Sequence, residues 1–330
     1  LSNAYKSVGI YYFSGILQKN IPLKPLLFFQ NPFTPNFLLA NIILSIQTMT
    51  MITFSTINNH LVKADEAALK VSDLSILRGF AIFDYFLFRQ RQPLFLDDYL
   101  DRFYRSAKLI HMDIPYARED FAAQIFQLIA ANGEEEGGIR LLLTGGYSPD
   151  SYTPTDPNVL ILQHPLPANA YRTNASIRLM TYPYLRDLPE VKTTNYATGI
   201  RLIPEMKRRG ADDLLYLDGD WVRESARSNF FLVFDDNRVV TARDKVLLGV
   251  TRKQILHLAG LRYPVEEREV HVSELRYARE AFFTSSIKGV LPVAQIDDQI
   301  IGDGTIGPVA SQLQQDFLQH VQTYIEHAKK

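Results

Sequence analysis

The spacing of apolar positions changes several times along the chain, and each spacing names an element. Val309, Leu313, Phe317 and Val321 recur at four-residue steps, the signature of one buried helix face. Leu100, Phe103, Ala107 and Ile110 step by three, four and three, which predicts another helix, capped by Asp97 or Asp98, with Arg102 beside its apolar stripe. A further helix is expected over residues 119–131, ending at Asn132-Gly133. Residues 81–88 read as a buried strand, with Phe83, Tyr85 and Leu87 on one face and Ile82, Phe86 and Phe88 on the other. Shorter strands are expected at 54–57, turning at Asn58-Asn59 into 60–62, and at 139–144, 159–162, 177–180 and 281–286. Residues 214–217, the turn Asp218-Gly219 and the return at Trp221 form a hairpin. Strands mixed with helices in this way predict an α/β (α+β) fold.

The segment 165–170, Pro-Leu-Pro-Ala-Asn-Ala, has no period and is stiffened by proline. It reads as a linker between a domain over 51–164 and a larger one over 171–330. Residues 1–50 differ from both: Pro22, Pro25, Pro32 and Pro35 punctuate an aromatic, weakly charged stretch, and Ser2-Asn3-Ala4 reads as an expression scar. The apolar run at 37–44 is too short and too polar for a membrane span, and it lies too far along for a signal peptide. This stretch is expected to be an extension without a catalytic role, or an arm packed on the domain or its partner.

Composition narrows the function by exclusion. With 35 basic against 36 acidic side chains and 46% hydrophobic residues, nothing in the charge calls for nucleic acid or an anionic membrane. The absence of cysteine removes disulfides and thiolate chemistry, and it fits a reducing, cytoplasmic setting. His60, His111, His164, His257, His271, His320 and His327 never take the close helical spacing of a zinc motif, so no metal is expected. Gly302-Asp303-Gly304-Thr305-Ile306-Gly307 matches G-x-G-x-x-G, but no βαβ unit surrounds it. It reads as a turn into the last helix, with Pro308 at that helix's first position.

The chemistry gathers around two residues. Lys192 stands just before a helix whose start is marked by Thr193, Thr194 and Asn195. That helix carries Tyr196, Ile200 and Ile203 on one face, is kinked or broken at Pro204, and ends at Lys207-Arg208-Arg209-Gly210. Glu224 stands in the second arm of the hairpin that follows. One helix-plus-hairpin unit can therefore direct an amine and a carboxylate into one cleft. A lysine amine condenses with an aldehyde cofactor, and a carboxylate beside a pyridine nitrogen keeps that nitrogen protonated. Taken singly, either residue reads more readily as a solvated surface charge, one among 35 basic and 36 acidic side chains.

Lys192-x-x-Asn195, Glu224-x-x-x-Ser228-Asn229-Phe230 and Gly249-Val250-Thr251-Arg252, in this order, resemble the class IV (fold-type IV) pyridoxal-phosphate aminotransferases. That family includes branched-chain aminotransferases, D-amino-acid aminotransferases and aminodeoxychorismate lyases, and the resemblance covers roughly residues 51–330. It implies a small N-terminal sheet-and-helix domain, a larger barrel-like C-terminal domain, a homodimer, and pyridoxal 5'-phosphate as cofactor. On this resemblance Lys192 is the catalytic residue that holds the cofactor, and Glu224 faces the pyridine nitrogen. Arg102, in Tyr99-Leu100-Asp101-Arg102-Phe103, grips the phosphate, to which a guanidinium is matched. Val250 and Thr251 offer it helix N-terminal amides, although Thr251 also reads as a plain N-cap. Ser286 and Ile287 fall in the loop nearest phosphate and substrate carboxylate, and Tyr196 is placed against the cofactor's phenolic oxygen. Phe83 either borders the substrate or simply packs in the core.

For the substrate, Asp150 in Pro149-Asp150-Ser151-Tyr152 stands where D-amino-acid aminotransferases carry an arginine and a histidine, and its charge argues against D-amino acids. Arg140 resembles the strand arginine of branched-chain enzymes, with a buried structural ion pair as the alternative. Phe83, Phe86 and Tyr196 suit an aliphatic side chain. These features together imply transfer of the amino group of leucine, isoleucine or valine to 2-oxoglutarate. The short spacing from Lys192 to Asn195 keeps open a lyase that forms p-aminobenzoate and pyruvate from aminodeoxychorismate.

Overall fold

The computed structural model describes residues 52–171 and 176–328. The readings made for residues 1–50 lie outside the described residues.

The first sheet contains β1 (Phe54–Ile57), β2 (His60–Lys63), β3 (Ala81–Arg89), β4 (Gln92–Pro93), β5 (Glu136–Thr144) and β6 (Val159–His164). Its order is β2-β1-β6-β5-β3-β4, with every pair antiparallel. Asn58 and Asn59 turn β1 into β2 with φ of 49° and 64°, the left-handed pair that a two-residue hairpin turn requires and that asparagine tolerates. The run 81–88 is a strand as its composition predicts. Within it Asp84, fully buried, takes a place on the otherwise apolar face of Ile82, Phe86 and Phe88.

The second sheet contains β7 (Ile177–Pro183), β8 (Asp213–Asp218), β9 (Trp221–Val222), β10 (Asn229–Val233), β11 (Val239–Thr241), β12 (Val265–Glu267), β13 (Glu280–Ser285), β14 (Gly289–Ile296) and β15 (Gln299–Ile300). The path runs β12-β11-β10-β13-β14-β7-β8-β9, and β15 pairs with β14. The sheet curls toward closure. The Val222 N–H donates to the Val270 carbonyl at 2.8 Å and Trp221 bridges His271, so the β9 edge meets the segment that follows β12. The interior of this barrel-like sheet is filled by side chains including Leu215, Phe230, Leu232, Phe283 and Val293. A larger core joins the first sheet and its helices, through Phe86, Phe103 and Phe121, to Phe282 and Phe317.

The helices depart from expectation in instructive ways. Leu96–Leu109 begins after Phe95, at φ 53°, without a side-chain cap. Asp97 and Asp98 sit instead in the first turn, where they favour the helix dipole, and Asp98 is drawn off by Lys253 at 2.6 Å and Gln254 at 2.7 Å. Arg118–Asn132 ends on Gly133 at φ 74°, the left-handed stop that glycine supplies. The helix expected directly after Lys192 starts later, because the backbone there is engaged in an isolated bridge to β3, Thr193 opposite Ile82. Phe83 N–H donates to the Lys192 carbonyl at 2.9 Å, and Thr194 N–H to the Ala81 carbonyl at 3.0 Å. Two short helices follow, Ala197–Arg201 and Ile203–Arg209, separated at Leu202. The break expected at Pro204 is therefore real, and the proline stands in the first turn of the second helix, where its missing N–H leaves no bond unmade. Ile200 and Ile203 are 63% and 40% exposed, so they form no buried face; Leu202 and Met206 pack against Met180, Leu214 and Tyr216 instead.

Residues 302–307 form the turn expected of them, and Pro308–Ala328 is the last helix, burying Val309, Leu313, Phe317, Val321 and Ile325. The Glu280 carboxylate accepts from the N–H groups of Val309 and Ala310 at 3.1 and 2.8 Å. A Cβ on Gly307 would lie 2.0 Å from the Glu280 Cδ, so this glycine admits a buried carboxylate to the helix N-terminus.

Candidate active site

Two adjoining cavities open between the first sheet and the rim of the second, and both reach Lys192, Tyr196, Arg227 and Ser286. The narrower is also lined by Arg102, Arg186, Glu224, Ser228, Asn229, Leu247, Gly249, Val250, Thr251 and Thr284. The wider, of about 480 Å³, is lined by Phe83, Tyr85, Arg140, Ile287 and Lys288 besides the shared residues. Lys192, Arg102, Tyr196, Glu224, Val250, Thr251, Ser286, Phe83, Arg140 and Ile287, the residues the sequence singled out, therefore border one cavity or the other. Phe86 does not: it points to the opposite face of β3 and is wholly enclosed in the core, so it forms no part of the substrate wall.

Lys192 reaches the junction from an extended segment pinned to β3, with its Nζ 4.7 Å from the centroid of the Phe83 ring. Burial lowers its pKa to about 8, and the nearby Arg102 guanidinium adds to the effect, so the neutral amine is accessible near physiological pH. Phe83 thus meets the cavity and the lysine at once. Its ring also lies 5.7 Å from that of Tyr196, whose hydroxyl pKa burial pushes up.

Glu224 follows the β8–β9 hairpin, its carbonyl accepting from Tyr216 N–H at 2.9 Å. Its carboxylate accepts from Arg186 Nε and Nη2 at 3.0 and 2.6 Å, from Asn229 Nδ2 at 3.1 Å and from Leu247 N–H at 3.0 Å. Burial raises the Glu224 pKa while Arg186 opposes that rise. Arg186 also donates to the carbonyls of Val191, at 3.1 Å, and Pro189. It therefore fixes the chain just before Lys192 to the carboxylate that faces the same cavity. The sequence reading missed this residue, and nothing in its loop composition signals it.

Arg102 forms a fork-to-fork pair with Asp84, at 2.9 and 2.6 Å, while still lining the narrower cavity. Asp84 did carry a signal: a lone carboxylate in a buried strand requires a cation. The helix Val250–Gly260 starts at Gly249 with no side-chain cap, so Thr251 is not the N-cap, and its first residues, Val250, Thr251 and Arg252, line the narrower cavity. A Cβ on Gly249 would fall 2.2 Å from Asn229 Oδ1, which is why only glycine fits there. Ser286 Oγ is held by the Tyr99 hydroxyl at 2.7 Å, and burial pushes the pKa of that hydroxyl up to about 12.

These residues suit a phosphorylated pyridine aldehyde. Arg102, an uncapped helix N-terminus and Ser286 offer donors to a phosphate at one end, and Glu224 offers a carboxylate at the other. Among the described residues, Ser228 Oγ and Thr284 Oγ1, whose residues both line the cavity, are buried without a hydrogen-bond partner, as polar atoms awaiting a ligand would be.

Arg140 forms no ion pair with a carboxylate among the described residues, so the buried structural pair offered as its alternative role is not what holds it. Its guanidinium lies over Phe83 and Tyr85, 5.2 and 5.5 Å from their centroids, at the wall of the wider cavity. Asp150 lines neither cavity. Its carboxylate accepts from Ser148, Tyr152 and Thr153 within its own loop, which lowers its pKa strongly.

The family model described as amino-transferase class IV matches residues 81–296, and the chain belongs to that family: it is a class IV aminotransferase, a class of enzymes that works with pyridoxal 5'-phosphate. Among curated relatives, the D-alanine aminotransferase of Listeria monocytogenes serotype 4b (strain F2365) is 26% identical over 275 residues, covering 80% of this chain and 95% of the relative. The D-alanine aminotransferase of Bacillus licheniformis is 26% identical over 266 residues, covering 78% and 93%. Among solved structures, the T.th. branched-chain amino acid aminotransferase complexed with N-(5'-phosphopyridoxyl)-L-glutamate matches with a TM-score of 0.74 and 28% identity, covering 82% of this chain and 94% of that one. The Thermoproteus uzoniensis branched-chain aminotransferase with norvaline matches with a TM-score of 0.74 and 25% identity, covering 82% and 95%. The fold is that of the two-domain fold-type IV enzymes. No helix among the described residues is long and apolar enough to cross a membrane.

Proposed function

We propose that this aminotransferase moves the amino group of a branched-chain L-amino acid to 2-oxoglutarate. The observation that carries the reading is the wider cavity, where an apolar wall of Phe83, Tyr85 and Ile287 stands beside Arg140 and opens onto Lys192. Such a wall suits an aliphatic side chain, and Arg140 suits a substrate carboxylate. Bound pyridoxal phosphate supplies an electron sink for the substrate's α-carbon. Lys192 is the residue that holds the cofactor, and its Nζ accepts and returns the proton. Glu224 keeps a negative charge at the pyridine nitrogen, held there by Arg186. Arg102, the amides of Val250 and Thr251, and Ser286 Oγ anchor the phosphate, while Tyr196 faces the ring's phenolic oxygen. The partition into 51–164, a linker at 165–170 and 171–330, a homodimeric assembly and a cytoplasmic setting belong to the same reading.

A second reading, transfer from D-amino acids, is favoured by one observation. The Asp150 carboxylate is engaged in its own loop, so the repulsion argued from sequence does not reach the cavity of this chain. Assays with leucine, isoleucine, valine and the D-enantiomers as donors to 2-oxoglutarate, read as glutamate formed, separate the two. Aminodeoxychorismate belongs in the same panel, with p-aminobenzoate as product. Glutamate from the L-donors supports the proposal. Its formation from D-donors alone, or efficient p-aminobenzoate production with negligible glutamate, overturns it.

A further inference from the structure

We propose that Tyr99 is a positioning residue for the cofactor phosphate: from behind the cavity wall its hydroxyl donates to Ser286 Oγ and so turns the serine proton onto the phosphate. The inference rests on the phosphate assignment made above for Arg102 and Ser286, and deepens it by naming a residue that acts through both.

Tyr99 is 2% exposed and stands behind the lining of the narrower cavity, to which Arg102, Thr251 and Ser286 come forward. Those three belong to separate elements: the helix Leu96–Leu109, the helix Val250–Gly260 and the turn between β13 and β14. Tyr99 lies where they meet. Its hydroxyl is 2.7 Å from Ser286 Oγ, and the Arg102 guanidinium is 5.2 Å from the centroid of its ring. Burial pushes the phenol pKa up to about 12, with Arg102, Ser286 and Thr251 opposing the rise. The phenol therefore keeps its proton near neutral pH.

Two hydroxyls at this distance share one hydrogen bond, and either can be the donor. A phosphate dianion decides between them, because it only accepts. It takes the Ser286 proton, which leaves a serine lone pair open, and the phenol proton fills it. The order is then Tyr99 to Ser286 to phosphate, each bond polarising the next. Packing fixes the ring for this task. Phe86 on β3 lies against it with centroids 5.1 Å apart, and Arg102, one helical turn on, is itself forked onto Asp84. The ring face thus supports Arg102 while the hydroxyl serves Ser286. Tyr99→Phe removes the second role and keeps the first.

The test titrates cofactor-free protein calorimetrically with pyridoxal phosphate and with pyridoxal, which differ only in the phosphate. Wild type should prefer the phosphorylated form. Tyr99→Phe should lower that preference about 10-fold, the lower end for a hydrogen bond to a charged group, with pyridoxal affinity unchanged. Ser286→Ala removes the middle of the relay, so adding Tyr99→Phe to it should change the preference by less than about 2-fold. In the loaded enzyme, phosphorus NMR should show the bound phosphate taking up its proton roughly one pH unit higher in Tyr99→Phe than in wild type, the same factor read as a pKa. Thermal melts check that each variant folds. An unchanged preference in Tyr99→Phe, an equal loss for both ligands, or an undiminished loss on the Ser286→Ala background overturns the proposal while the phosphate assignment stands. Equal binding of the two ligands by wild type removes the phosphate assignment, and the proposal with it.

Discussion

Phe83 and Lys192 are joined twice: the phenylalanine N–H donates to the lysine carbonyl at 2.9 Å, and the lysine Nζ lies 4.7 Å from the centroid of the same residue's ring. The first contact places the lysine backbone on β3, and the second sets the amine at the mouth of the substrate cavity. Phe83 is thus both a packing residue and a cavity wall.

Lys192→Ala should abolish turnover while the protein stays folded. The strand-like pairing that holds its segment runs through backbone atoms, which alanine keeps, and the side chain's contact is with the face of the Phe83 ring. Wild type should also show a yellow absorbance band that the variant lacks. Circular dichroism checks the fold. Near-normal activity in the variant would remove Lys192 from its role.

The lowered lysine pKa makes a pH prediction. Because burial holds the amine at about 8, the neutral form is available well below the ordinary lysine range. The rate at which cofactor-free protein captures pyridoxal phosphate should rise with pH with a midpoint near 8, and level off above it. The same shift means that the folded state binds fewer protons than the unfolded state between about 8 and the ordinary lysine pKa of roughly 10.4. Stability from this group therefore increases with pH across that window, and Lys192→Met should remove the increase. Stopped-flow absorbance and chemical denaturation at several pH values check both parts.

Arg186→Met leaves the Glu224 carboxylate buried with its strongest partner gone. A loss of roughly 3 kcal/mol in stability is expected, the scale for breaking a buried pair. Glu224→Gln alone should slow the proton-transfer step on the order of 100-fold, since a neutral amide cannot balance a pyridinium charge. The double variant should be more stable than the sum of the single losses implies, because neither charge is then left alone. Urea denaturation gives the cycle, and single-turnover absorbance isolates the chemical step. Strict additivity would show that the pair is not coupled.

Gly249→Ala introduces a Cβ 2.2 Å from Asn229 Oδ1, and Asn229 in turn donates to Glu224 at 3.1 Å and to the Leu247 carbonyl at 2.7 Å. The methyl group must displace Asn229, so the variant should lose about 1–3 kcal/mol of stability, as overpacked sites do. Cofactor affinity should fall with it, because the helix N-terminus and Glu224 move together. Thermal melts and a cofactor titration provide the two readouts. Wild-type cofactor affinity would show that this glycine serves packing alone.

The sequence by itself determined the elements whose cause is local. The Asn58-Asn59 turn, the glycine stops at Gly133 and Gly210, the break at Pro204 and the stripe of the last helix all follow from one residue's backbone preference or from period. Lys192, Glu224 and the Gly249-Val250-Thr251 turn were legible because their motifs keep fixed spacing. The tertiary structure alone decided which charges meet. Asp84 pairs with Arg102 across 18 residues, Arg186 with Glu224 across 38, and Tyr99 reaches Ser286 across 187. Periodicity reports which face of an element is buried, but a buried charge takes whichever partner the packing of distant elements brings within hydrogen-bond reach. The same reason moved Asp98 from a helix cap to Lys253 and Gln254. It also held the residues after Lys192 out of the helix in a bridge to β3, which offered their backbone the N–H of Phe83 and the carbonyl of Ala81.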